Sequence, residues 1–336
     1  MSFISVGFFI FIIGTAIIYY ILPKRIRWCI LLLMSLSFYA ISSIKGLMFV
    51  AFTVITSYIA ALFMYKCDEK RIRKRWLIVC LICNFGILVF LKYCNFAITN
   101  FSLLMSVFNI DIPAKHVSLL MPMGISFYTF QTMSYVIDVY RGDVAAQKNP
   151  FYVMLYVSLF PQLIAGPIVR YTDIERELQE RKHSVTLAAS GIQRFLIGLS
   201  KKVLIANVLG ELTDICLKTS QPSILSWWMY AVALVLQIYF DFSGYSDMAI
   251  GLGRIFGFRF PENFNYPLIS RSVKEFWRRW HISLSSWFRD YVYIPLGGSR
   301  VKTGLYVRNV IAVWMLTGLW HGASWNFVVW GVGFGV

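Results

Sequence analysis

The stretch Asn309–Val336, NVIAVWMLTGLWHGASWNFVVWGVGFGV, decides what kind of molecule this is. It holds no Asp, Glu, Lys or Arg, and it is longer than the roughly 18 apolar residues that mark a membrane-spanning helix candidate. Ser2–Leu22, SFISVGFFIFIIGTAIIYYIL, has the same character at the other end of the chain. Across all 336 residues, 58% are hydrophobic and 14% charged, and the mean hydropathy is +0.64. A water-soluble domain carries about 45–50% apolar and about 25% charged residues. These values exclude a soluble globular enzyme, a disordered chain and a secreted disulfide scaffold. They predict an all-α integral membrane protein with several spans.

Working outward, the apolar runs are Ser2–Leu22, Trp28–Ile44, Gly46–Tyr65, Trp76–Leu91, Val117–Val139, Phe151–Val169, Ala188–Leu209, Ile224–Phe242 and Leu305–Val336, with Phe96–Phe108 ambiguous. Pro161 and Pro167 interrupt one of them and Lys201 and Lys202 another. Irregular backbone at membrane depth survives where protein shields it or a wet cavity adjoins it, so Phe151–Val169 is expected to be broken or re-entrant. The mixed-charge stretch Asp173–Lys182 is expected to be a surface helix. No internal repeat or low-complexity linker interrupts the pattern. The expectation is one polytopic domain over 1–336, with N-terminal spans over 1–116 and a catalytic core over 117–336.

The net charge is +16. The basic residues stand in short blocks between apolar runs, as topology signals do, and not as a nucleic-acid surface. Lys66–Arg75 carries six basic and two acidic residues, and Arg254–Arg308 ten basic and three acidic. Both are assigned to the cytoplasm, which puts the N-terminus outside. Anionic lipid headgroups are the expected partners of these charges. The first 22 residues lack a basic n-region and a small-residue cleavage site, so they read as a retained span. Cys80 and Cys83 form a CxxC inside an apolar run, with no second pair to complete a zinc set, and read as packing residues with no metal role.

Four histidines are present. His116 and His183 stand in polar loop contexts. His321 lies 13 positions beyond Arg308, about 20 Å along a helix, and an ionisable residue that deep reads as functional. There a neutral ring can accept a proton. Packing against a neighbouring helix is the competing reading. Gly318 and Gly322 flank it and permit close approach of a backbone or a ligand. His281 ends the stretch Trp277-Arg278-Arg279-Trp280-His281. Read as one helix, this places Phe276, Trp277, Trp280, His281, Leu284 and Phe288 on one apolar face, an amphipathic helix for the membrane interface. An aromatic and basic anchor is the competing reading. Asp241 and Asp247 fall in a Gly- and Ser-containing stretch that suggests a broken helix beside a polar cavity, where carboxylates orient a histidine, bind an ion or cap a helix. Pro295–Arg300, PLGGSR, reads as a turn whose backbone N–H groups and guanidinium suit a phosphate.

Several of these segments together resemble the membrane-bound O-acyltransferase family, closest to its bacterial alginate O-acetyltransferase branch. They are Phe240–Ala249 (FDFSGYSDMA), Glu262–Pro267 (ENFNYP), Glu275–His281 (EFWRRWH), Pro295–Gly298 (PLGG) and Trp320–Gly322 (WHG), with Pro122–Gln131 and Phe160–Ile168 upstream. The resemblance runs from about Met121 to the end. It implies a multi-span fold with re-entrant and interfacial helices around a central tunnel. It implies that His321 is catalytic and that His281 is a second functional position. The related teichoic acid D-alanylation branch shares the WRRWH-like stretch but not a continuation like Ile294–Arg300. Relatives continue through further helices after the catalytic histidine, whereas this chain stops at Phe334-Gly335-Val336, which is expected of a fragment or a short member.

The activity so implied moves an acyl group, acetyl by expectation, from a cytosolic thioester such as acetyl-CoA to a hydroxyl across the plasma membrane of a bacterium. That hydroxyl belongs to an exopolysaccharide or to a partner SGNH-type acetyltransferase. No cofactor is expected to stay bound. His321 is the expected general base and His281 positions the thioester or stabilises the oxyanion. Arg278, Arg279, Arg289 and Arg300, with Arg271 and Lys274, are candidates for the phosphates of the donor, or for lipid phosphates, and Asp241 and Asp247 for orienting roles. The alternatives are D-alanyl transfer to teichoic acid, a polysaccharide transporter using His321, Asp241 and Asp247 as a proton path, and a non-catalytic scaffold.

Overall fold

A computed structural model describes residues 3–163 and 166–335. Ile164 and Ala165, inside the segment expected to be broken or re-entrant, lie outside the described residues, as do Ser2 and Val336 at the ends of the two quoted runs. Every regular element among the described residues is helical. In order these are α1 (Val6–Ile21), α2 (Arg27–Ser42), α3 (Ile44–Lys66), α4 (Lys70–Val107), α5 (Ile125–Arg141), α6 (Pro150–Ser158), α7 (Phe160–Leu163), α8 (Tyr171–Gln179), α9 (Val185–Ser200), α10 (Asn207–Lys218), α11 (Ile224–Ile255), α12 (Val273–Arg279), α13 (Ile282–Phe288), α14 (Thr303–His321) and α15 (Trp325–Gly335). Short 3-10 turns stand at Lys24–Ile26 and Pro267–Ile269, and π-helical turns at Lys201–Ala206 and Arg289–Tyr293. Lys24–Ser42, α3, α4 and α11 are long and apolar enough to cross a membrane, and α1 is a shorter apolar helix.

The chain forms two compact units, Met1–Ser42 with Met154–Ser283, and Ser43–Val153 with Leu284–Val336. In lipid, apolar side chains gain little by leaving one apolar medium for another, so close contact and polar bonds hold helices together. The first unit shows this between α9 and α11. A Cβ on Gly191 would stand 2.6 Å from the Gly251 carbonyl oxygen, and one on Gly198 would stand 2.5 Å from that of Gly244. These pairings run in opposite directions along the two helices, which are therefore antiparallel with touching backbones. Gly244 and the serines around it were expected to break the helix. Instead α11 runs unbroken over 32 residues, because its small residues make a groove for α9. Carbonyl and side-chain bonds complete the unit: Tyr19 donates to the Phe256 carbonyl at 3.1 Å, and the Ser35 hydroxyl accepts from the Phe160 amide at 3.3 Å.

In the second unit α3, α4 and α5 pack on one another. Asn84 on α4 donates to Thr56 on α3 at 3.1 Å. Arg73, in the first turns of α4, donates to the Tyr140 carbonyl at 2.7 Å, which satisfies an orphan carbonyl at the C-terminal end of α5. The runs Trp76–Leu91 and Phe96–Phe108 are one helix, α4. The run expected from Val117 becomes helical at Ile125.

The final run, expected to be one span from Leu305, is two helices. Gly318 and Gly331 meet where α14 and α15 cross, and a Cβ on Gly331 would stand 2.5 Å from the Trp314 carbonyl oxygen. The glycines let the chain double back as an antiparallel hairpin. The close approach that Gly318 permits is thus taken up by α15.

Candidate active site

His321 is the last residue of α14. Its Nδ1 lies 2.8 Å from the Thr317 carbonyl oxygen. A carbonyl only accepts, so Nδ1 carries the proton, and Nε2 holds the lone pair of the neutral ring. His321, Asn326, Phe327 and Trp330 line a cavity of about 220 Å³. The ring meets Trp330 near edge-on, with centroids 5.0 Å apart, and it lies 4.9 Å from the ring of Trp320. The arrangement is a neutral imidazole with one nitrogen fixed by a main-chain carbonyl, on a residue that lines a mostly apolar cavity.

Two residues that the sequence reading passed over hold this helix end. Lys92 on α4 donates from Nζ to the Trp320 carbonyl, and Tyr93 donates to the Leu319 carbonyl. These are orphan carbonyls of the last turn of α14, where a cation is also favoured by the helix dipole. The missed signal is a lysine between two apolar runs, which is costly unless it has a task. Lys92 and Trp320, with Phe85, Phe130, Trp287 and Leu319, also line a larger cavity of about 610 Å³. Trp320 thus faces one cavity and His321 the other.

His281 belongs to the first unit and is only 2% exposed. The single amphipathic helix expected through WRRWH is broken: α12 ends at Arg279, and α13 starts at Ile282. His281 sits at the break with φ 44°, a left-handed conformation that costs a non-glycine residue about 1–2 kcal/mol. The break exists because Asn263 satisfies the start of α13. Its main-chain carbonyl accepts from the Ile282 amide at 2.9 Å, and its side-chain oxygen accepts from the Ser283 amide at 3.2 Å. The same oxygen lies 3.1 Å from His281 Nδ1. Phe242 packs against the imidazole at 4.7 Å, with the rings 89° apart.

Asp241 and Asp247 do not cap α11; they stand inside it and face cations of the neighbouring helix and its π turn. Asp247 Oδ1 accepts from Arg194 Nε at 2.7 Å and Oδ2 from Lys201 at 2.7 Å. Arg194 continues to Glu262 at 2.5 Å. Asp241 pairs with Lys202 at 2.5 Å. Both carboxylates are thus engaged by cations, not by either histidine.

The basic candidates divide. Arg278, Arg271, Lys274 and Arg300 are exposed. Arg279 is taken up internally by Glu275 at 3.0 Å and the Asn265 carbonyl at 3.1 Å, and Arg289 pairs with Asp290 at 2.7 Å. Arg278, Arg279, Arg271 and Lys274 belong to the first unit, Arg289 and Arg300 to the second. In the PLGGSR turn the Gly297 and Gly298 N–H groups donate to the Ile294 and Tyr293 carbonyls at 2.9 Å each, closing the preceding π turn, so these two are taken up within the chain. Its carbonyls also accept from Asn309, which reaches those of Leu296 and Gly298 at 3.1 Å each.

His116 binds Thr99 at 2.8 Å. His183 Nε2 meets the Tyr19 hydroxyl at 2.8 Å. Burial, then the charges of Arg27, Arg181 and Lys24, hold the His183 pKa below its usual value. Cys80 is buried beside Ser57 and Asn84.

Comparison with known proteins agrees with these motifs. Residues 31–335 match the family model for membrane-bound O-acyltransferases. A probable alginate O-acetylase of Azotobacter vinelandii is 45% identical over 315 residues, which are 94% of this chain and 63% of that protein. A peptidoglycan O-acetyltransferase of Helicobacter pylori is 37% identical over 334 residues, covering 91% of this chain and 62% of that one. A teichoic acid D-alanyltransferase of Bacillus subtilis is 32% identical over 222 residues, covering 62% and 56%. The chain spans about three-fifths of the length of the first two of these curated relatives. With the family model covering nearly the whole chain and the WHG and WRRWH motifs in place, the chain belongs to the membrane-bound O-acyltransferase family.

Proposed function

We propose that this chain is an O-acyltransferase of the bacterial plasma membrane. It moves an acetyl group from a cytosolic thioester, acetyl-CoA, to a hydroxyl outside, on a polysaccharide or on a partner acetyltransferase. The observation that carries the reading is the tautomer of His321: Nδ1 donates to the Thr317 carbonyl, so Nε2 is the nitrogen available to a substrate.

Nε2 takes the proton of the acceptor hydroxyl as its oxygen bonds to the thioester carbonyl carbon. Negative charge moves to the carbonyl oxygen. When the carbonyl reforms, the C–S bond breaks. The thiolate leaves and takes the proton back from Nε2, which restores the neutral ring. His281 would act on the same reaction by positioning the thioester or stabilising the oxyanion. The exposed Arg271, Arg278 and Arg300 are the guanidiniums best suited to the donor's phosphates or to lipid headgroups, since Arg279 and Arg289 are engaged by carboxylates. Acetate is preferred to D-alanine as the acyl group because the acetylating relatives match more of the chain at higher identity.

The test uses membranes of the organism that makes this protein, acetyl-CoA labelled in the acetyl group, and a His321→Ala variant at matched level. Label reaching a polysaccharide or protein hydroxyl, and lost in the variant, supports the reading. Equal labelling with the variant overturns the role of His321. Transport of polysaccharide without any thioester requirement would replace the transferase with a transporter.

A further inference from the structure

The geometry points to Asn263 as the positioning residue for His281, holding one tautomer and one orientation of that ring for the transfer reaction. The inference rests on the reading of His281 given above and deepens it.

Asn263 is fully buried, with 0% exposure. Its Nδ2 donates to the Ser246 hydroxyl at 3.1 Å. Its Oδ1 accepts from the Ser283 amide at 3.2 Å and the Ser283 hydroxyl at 2.8 Å. The backbone amide can only donate, so this atom is the oxygen, and a flipped amide would set its NH2 against that donor. His281 Nδ1, at 3.1 Å from the same oxygen, therefore carries the proton. The acceptor nitrogen of the neutral imidazole is then Nε2.

The ring's position calls for a constraint. Its backbone is left-handed, and such strain persists where surrounding structure over-determines it. Asn263 supplies that constraint from both its main chain and its side chain. Ser283, bound to the same oxygen, also accepts from the Ile168 amide at 3.0 Å, so the backbone at Ile168 closes on the same point. Glu262, one residue earlier, ties the loop to Arg194 and through it to Asp247. The loop that carries Asn263 is thus anchored on α9 and α11, and it passes that rigidity to His281.

Capping alone would also explain a buried asparagine at the start of α13, so the experiment separates the two roles. Asn263→Leu keeps the branched outline with bulkier methyl groups and has no acceptor; Asn263→Asp keeps the acceptor. Each is made in the full chain, alone and with His281→Gln, and acetyl transfer is measured on equal amounts of monodisperse protein. We expect Asn263→Asp to retain activity within about threefold. Asn263→Leu should lower kcat by about 10- to 100-fold, the range for lost outer partners of metal-bound histidines. It should add less than about twofold in the His281→Gln background, since coupled residues are not additive. An equal loss from Asn263→Leu in both backgrounds overturns positioning in favour of capping. So does an Asn263→Asp variant as damaged as Asn263→Leu, or an undamaged Asn263→Leu. If His281→Gln transfers at the normal rate while His321→Ala does not, the role given to His281 falls and this inference with it, but the transferase stands. If His321→Ala is also fully active, it is the catalytic reading itself that has failed.

Discussion

The two histidines are held in opposite ways. His281 is buried, and side chains fix it: an asparagine oxygen on one nitrogen, a phenylalanine ring edge-on, and behind them an ion-paired pair of helices. His321 stands at a helix end beside a cavity, and main-chain groups fix it. Its Nδ1 donates to the Thr317 carbonyl, and Lys92 and Tyr93 donate to the two carbonyls before it. Side-chain networks are rigid but lose function when one member changes, because a partner is then left unsatisfied in a low-dielectric setting. Main-chain anchoring survives many side-chain changes but depends on two helices approaching closely.

The comparison can be broken at several points. The largest expected effect is that of His321→Ala, which should lower acetyl transfer by about 10²–10⁴-fold, the contribution of a positioned general base, with solubilised protein of normal stability. Unchanged transfer would reverse the roles assigned to the two rings. Next is Asp247→Asn, which leaves Arg194 and Lys201 facing each other without their shared carboxylate. Breaking a buried pair costs about 3–5 kcal/mol; partial exposure of both cations places this case near about 3 kcal/mol. Thermal unfolding in detergent should show it, and a shift of under a degree would mean that α9 and α11 rest on their glycine contacts alone.

Lys92→Met should have a smaller effect, concentrated on transfer. A hydrogen bond from a charged donor contributes about 1.5–3 kcal/mol, so a transfer rate lower by about tenfold is expected, with Lys92→Arg closer to normal. No change in rate would show that Tyr93 and α15 hold the end of α14 without the lysine.

Glu275→Gln should be the mildest. The Arg271 amide first, then Arg279, hold the Glu275 carboxyl below its usual pKa of 4.5. A depressed carboxylate stabilises the fold above the unfolded pKa, and that contribution fades as pH falls through the folded one. The variant should therefore melt slightly lower than the parent at neutral pH and converge with it in acid. A difference that persists in acid would assign the effect to packing at the start of α12.

By itself the sequence determined the helical, membrane-bound class and the family. Apolar runs longer than a bilayer needs permit few other solutions, because backbone groups in lipid must be satisfied within helices or closed barrels. The dense motifs around His281 and His321 marked the residues worth following. Only the tertiary structure decided where helices stop. Gly244 reads as a breaker in one dimension and becomes a contact point once α9 lies on it. WRRWH reads as one amphipathic helix until Asn263, 18 residues before His281, supplies the bonds that start a second one. Asn309–Val336 reads as a span until Gly318 and Gly331 let it fold back. In each case the deciding partner is distant in the chain. Local periodicity records which face of a helix is apolar, but not which backbone group a remote side chain will satisfy.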